Sequence, residues 1–79
     1  MSLYERLRTV FVTTLELRPG ADVESLRQWA DPEWDSMNHA ALLAAIESEF
    51  GLELEPEDAV RVDSFGAAAS VLRDRGVPE

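Results

Sequence analysis

Apolar side chains at Leu3, Leu7, Val10, Phe11 and Thr14/Leu15 recur at i, i+4, i+7, i+8 and i+11/i+12, the stripe of an amphipathic helix. Ser2 is a suitable cap for it, and Arg18-Pro19-Gly20 must end it, because proline and glycine both disfavour a continuing helix. The next periodic stretch begins only at Asp35. The connection from Leu17 to Asp35, about 19 residues, is longer than the ~12–15 residues at which an unstructured loop in a small domain becomes hard to sustain. Val23, Leu26, Trp29 or Ala30, and Trp34 are the expected anchors, with one short helical turn around Glu24 to Gln28. Asp31 precedes Pro32 and is therefore expected to be non-helical.

The second long helix is predicted from Ser36 to Phe50, opened by Asp35 as a favoured N-cap type and closed by Gly51 in a left-handed cap. Asn38 does not complete a capping box. Leu42, Leu43, Ile46 and Phe50 cluster on the core side with His39 beside them. Roughly opposite, Ala40, Ala41, Ala44 and Ser48 fall within about 60° of Met37, a strip of small residues bordered by Glu47 and Glu49. Alanines are good helix formers on any exposed face, and the same strip could serve as a shallow docking surface.

After Gly51, Leu52 and Leu54 return to the core, and Pro56 suits the first position of a short helix reaching about Val60. Asp63-Ser64 can cap a last helix with Phe65, Ala68, Ala69 and Leu72 at i, i+3, i+4 and i+7. Arg73, Arg75, Gly76 and Pro78 form its stop signal. The expectation is an all-α fold of three longer helices plus a short third one, in a single domain spanning residues 1–79. No alternating strand, repeat or low-complexity tract is evident.

Composition narrows the classes. The 46% apolar content is that of a globular chain, no apolar run approaches the length of a membrane span, and no cysteine is available for disulfides. Met1 to Thr14 carries Glu5, Arg6 and Arg8 with no unbroken apolar stretch after them, which does not resemble a secretory leader, so a cytoplasmic location is expected. The net charge of −9 is localised. Asp31, Glu33, Asp35, Glu47, Glu49, Glu53, Glu55, Glu57 and Asp58 fall in a segment without Lys or Arg, while the rest of the chain balances seven acids against seven arginines. Such a segment repels nucleic acid and complements a basic protein surface.

Several chemistries can be excluded. Asp31-x-Glu33-x-Asp35 resembles the start of a calcium loop, but Ser36 stands where glycine is needed at the sixth position and Leu42 where glutamate is needed at the twelfth. Asp35, Ser36 and His39 lie too close together on one helix start to form a nucleophile relay, and no Gly-x-Ser-x-Gly surrounds the serine. One histidine and no cysteine exclude a zinc site. What remains is a serine hydroxyl on the first turn of a helix, where backbone N–H groups and the helix dipole favour a phosphate, preceded by an acid and followed by an exposed apolar residue.

Trp34-Asp35-Ser36-Met37-Asn38-His39, followed by Ile46-Glu47-Ser48-Glu49-Phe50, resembles the Gly-x-Asp-Ser-Leu motif and Glu-x-x-Phe ending of the acyl carrier protein family. The resemblance spans nearly the whole chain: helix order, long first loop, acidic middle and short third helix. It implies a small four-helix bundle of the acyl-carrier type. It also implies that Ser36 receives 4′-phosphopantetheine from coenzyme A through a magnesium-dependent phosphopantetheinyl transferase, with Asp35 helping to orient that enzyme and its metal. The arm then carries acyl or aminoacyl groups as thioesters in fatty-acid, polyketide or related secondary-metabolite biosynthesis.

A carrier of this kind is not itself an enzyme and holds no metal. Its expected partners are the transferase and acyl-loading, condensing and modifying enzymes with basic docking surfaces, met by Met37, Ala40, Ala41, Ala44 and Glu47 on a freestanding monomer. Departures from the family pattern are Glu33 in place of the motif glycine, Met37 in place of leucine, and Ala41 and Ser48 where acidic carriers often have glutamate. The alternative is a helical protein-interaction module of the same fold that never bears the arm.

Overall fold

In the computed structural model, which describes residues 2–79, four α-helices and one short 3-10 turn account for the regular structure. Helix α1 (Leu3–Thr14) is fixed at its start by a capping box. Glu5 N donates to Ser2 Oγ at 3.1 Å, and Ser2 N donates to Glu5 Oε1 at 2.9 Å. That backbone N–H bond, and then the serine hydroxyl, hold the Glu5 carboxyl below the usual glutamate range. Leu3, Leu7, Val10, Phe11 and Leu15 are buried as the stripe requires. The helix stops a turn before Pro19 because Glu16 takes a left-handed conformation, φ 53°, and Leu17 N donates back to Val12 O at 3.0 Å.

In the long connection, the helical turn forms at Val23–Ser25, slightly upstream of the expected Glu24 to Gln28. Val23 and Trp34 are fully buried anchors and Leu26 packs half-buried against the core. Trp29 and Ala30 are not anchors. Trp29 is 77% exposed, Ala30 is also exposed, and Gln28 takes the inward position instead. The cause is tertiary: Gln28 N donates to Asp63 O at 3.0 Å beside an isolated antiparallel bridge between Arg27 and Ser64, and Trp29 then turns outward at φ 77°.

Helix α2 (Ser36–Phe50) has the predicted limits, with Asp35 as N-cap and Gly51 at φ 66° as its left-handed C-cap. Leu42 and Ile46 are buried, and Leu43 and Phe50 half-buried. Helix α3 (Pro56–Arg61) has proline in its first turn, and α4 (Phe65–Asp74) is capped by Ser64 Oγ accepting from Ala67 N at 3.1 Å. Phe65, Ala68, Ala69, Val71 and Leu72 of α4 are buried.

The core centres on Phe11, which meets Trp34 edge-on at 5.3 Å between centroids and Phe65 at 5.4 Å. Between α3 and α4, the Asp58 carboxylate accepts from the Arg75 guanidinium and from Glu55 N. Arg75 first, then the Glu55 N–H, holds the Asp58 carboxyl below the usual aspartate range. The fold is therefore all-α, and no helix among the described residues is long and apolar enough to cross a membrane.

Candidate functional site around Ser36

Ser36 is the first residue of α2 and is exposed; its hydroxyl makes no hydrogen bond among the described residues. Its position is fixed from both sides in sequence. Asp35, extended at φ −90° and ψ −177°, accepts from Asn38 N through Oδ1 at 2.8 Å. Asn38 Nδ2 in turn donates to Glu33 O at 2.8 Å, tying the incoming loop to the helix. Upstream, Asp31 Oδ2 accepts from Arg27 N at 2.8 Å and Trp34 N donates to Asp31 O at 3.0 Å. One carboxylate oxygen of Asp35 is thus occupied in capping, and the residue remains exposed beside the serine.

Beneath this turn, the buried Trp34 donates its indole N–H to His39 Nδ1 at 3.0 Å. His39 Nε2 lies 3.2 Å from Ala59 O. Since Nδ1 accepts, the ring proton resides on Nε2 and is donated to α3. His39 is therefore a structural bridge between α2 and α3, with neither ring nitrogen left over to act as a base toward Ser36.

The surface around the serine is apolar where it protrudes. Met37 and Val60 are each 80% exposed, and Trp29 stands nearby at 77%. Ala40, Ala41, Ala44 and Ser48 are all exposed and continue from Met37 along α2, as the helical spacing requires. Glu47 is half-buried, with Oε2 accepting from Leu54 N at 2.8 Å, so one oxygen is committed to the turn after α2. Glu49 is paired with Arg6 at 2.9 Å. The side chains of Glu33, Glu53 and Glu57 make no hydrogen bond or ion pair among the described residues.

A cleft of about 280 Å³ opens beside the serine, lined by Gln28, Trp29, Ser36, His39, Ala59 and Val60. A second, of about 360 Å³, lies on the other side of Trp29 and Ser36, against Asp31, Pro32 and Asp35. Trp29 is a wall of both. A bulky residue at positive φ costs on the order of 1–3 kcal/mol, and here it holds an indole in solvent between the two clefts. Gln28, Trp29 and Val60 were not candidates from sequence, where Trp29 was expected in the core. A lone glutamine before a tryptophan gives no local signal of which one points inward.

Among the described residues no group of three or more His, Asp or Glu is placed to hold a metal ion. No known family model matches the chain, and no solved structure matches it.

Proposed function

We propose that this protein is a carrier of the acyl carrier type, with Ser36 as the attachment point of a 4′-phosphopantetheine arm. The observation that carries the proposal is the state of Ser36: exposed, unbonded, first on a well-capped helix and set in the sequence Asp35-Ser36-Met37. Residues of this chain suit the group. The first-turn N–H groups of α2 and its dipole favour a phosphodiester on the serine oxygen, and the serine lines a cleft of about 280 Å³ with Trp29 and Val60.

When bound, the arm supplies a terminal thiol, which a chain without cysteine cannot provide itself. Ser36 would act as the nucleophile in an external transferase, its oxygen displacing the nucleotide half of coenzyme A while its proton passes to a base of that enzyme. The remaining work of the chain is presentation. Met37 and the alanine strip offer a flat apolar surface, and the unpaired Glu33, Glu53 and Glu57 supply a negative field toward basic enzymes. Asp35 keeps one oxygen available for orienting the transferase and its metal.

Incubated with coenzyme A, magnesium and a broad-specificity phosphopantetheinyl transferase, the protein is expected to gain the mass of one arm, and Ser36→Ala none. Failure across several transferases would overturn the proposal. An unmodified protein in its native cell, with normal function in Ser36→Ala, would instead assign it to interaction modules that never bear the arm.

A further inference from the structure

The chain carries sulfur in only two side chains, Met1 and Met37, and has no cysteine. Among the described residues the one sulfur atom is therefore that of Met37. The buried core is built from Leu, Val, Ile, Phe, Ala and Trp, with no thioether in it. Met37 is instead 80% exposed, follows Ser36 directly and lies in the first turn of α2. Thiols and thioethers are the side-chain groups that hydroperoxides oxidise most readily, and here no thiol competes.

Oxidation replaces a weakly polar sulfur with a strong S=O dipole that holds water. In a packed core it would break contacts; at Met37 the dipole stays in solvent and the fold is spared. The cost arises only when another protein covers the residue, because the dipole must then be dried without a partner made for it. Ala40, Ala41 and Ala44 are exposed but short, so the apolar reach of this strip of α2 rests on Met37. A leucine at the same position would fill nearly the same volume and be inert to peroxide, so the sensitivity belongs to this residue and not to the surrounding motif.

We propose that Met37 is a site of reversible oxidation that regulates docking beside Ser36 without disturbing the fold. A hydroperoxide transfers one oxygen to the thioether lone pair. Its O–O bond breaks, the sulfur is oxidised by two electrons to the sulfoxide, and the peroxide is reduced to water or an alcohol. Two thiols of a reductase system reverse the step: the sulfoxide oxygen leaves as water and the thiols are joined as a disulfide. The effect on docking rests on the carrier proposal above, whereas the chemistry at sulfur does not.

The test uses the full chain, treated with dilute hydrogen peroxide, freed of it, and mapped by peptide mass spectrometry. Met37 is expected to gain one oxygen at a rate within about 2-fold of its rate in the urea-unfolded chain, since exposure governs susceptibility. The urea midpoint should not move. With coenzyme A, magnesium and a phosphopantetheinyl transferase, kcat/KM for arm transfer should fall about 3- to 10-fold, the effect of losing the burial of about one methylene. Methionine sulfoxide reductase with a dithiol should restore it. In Met37→Leu the same peroxide treatment should leave the rate where it stood, although Met1 is still present.

Oxidation and its reversal are read on the wild type, so a poorly folding variant does not block the test. Met37 left intact under peroxide that consumes free methionine overturns the site. An oxidised protein with unchanged kcat/KM, a urea midpoint that falls with the rate, or an equal loss in Met37→Leu overturns the regulation. Each of these leaves the carrier proposal standing. An untreated protein that takes no arm overturns the carrier proposal and this one with it.

Discussion

A buried indole needs an acceptor for its N–H, and Trp34 finds it in His39 Nδ1. The pairing dictates that the imidazole carries its proton on Nε2, toward Ala59 O. Long-range ¹H–¹⁵N correlation of the ring is expected to show the Nε2–H tautomer. His39→Ala should destabilise the protein by about 1–3 kcal/mol, the cost of orphaning a buried donor, seen as a lower urea midpoint. Asp58 gives a pH-dependent prediction. Its carboxyl is lowered in the fold by Arg75 and by Glu55 N–H, so the stabilisation is present above the ordinary carboxylate range and is lost as pH falls through the lowered value. Asp58→Asn should therefore be less stable than wild type at pH 7, and the gap should narrow as the pH drops below about 4. Urea midpoints at a series of pH values measure this; a gap that widens on acidification would contradict the assignment.

At the scale of elements, the long helix α2 depends on its two ends. Gly51 sits at φ 66° with open space around it, so a methyl group there meets no neighbour and only the conformation is penalised. Gly51→Ala should cost about 1 kcal/mol, measurable by denaturant titration, with no change in the serine's accessibility to a transferase. These ends were readable in advance: Asp35, Gly51, Pro56 and Ser64 act within a turn of their own position, and each stands where the sequence alone put it. The loop was readable only in part. Val23 and Trp34 are buried as expected, but whether Gln28 or Trp29 faces inward is decided by pairing with Asp63 and Ser64, some 35 residues away, which no local periodicity can register. The same holds for Trp34 and His39, and for Asp58 and Arg75. The place of Ser36 at the start of α2 was legible because the Asp35 cap acts locally; the cleft beside it was not, because its walls come from three separate segments.

At the scale of the whole molecule, four ion pairs among the described residues use Arg6, Arg8, Arg61 and Arg75, and all but Asp58 have partly exposed side chains. Exposed pairs of this kind contribute little, about 0–1 kcal/mol each, whereas a net charge of −9 on 79 residues repels itself. Added salt screens both. The urea midpoint should therefore hold or rise between about 0.05 and 0.5 M salt, while affinity for a basic partner such as a transferase falls over the same range. A parallel fall in both would mean that the ion pairs, and not the acidic field, dominate the electrostatics of the fold.

The two tryptophans lie on opposite sides of the solvent boundary, one locked in the core against Phe11 and one held out between the clefts. The chain is thus a two-channel fluorophore. Trp34 is shielded from acrylamide until the core opens, while Trp29 is quenched at once in the native state and becomes protected only when something covers it. With Trp29→Phe the emission follows global unfolding alone; in the wild type, the quenchable fraction follows occupancy beside Ser36 in real time, without an added label.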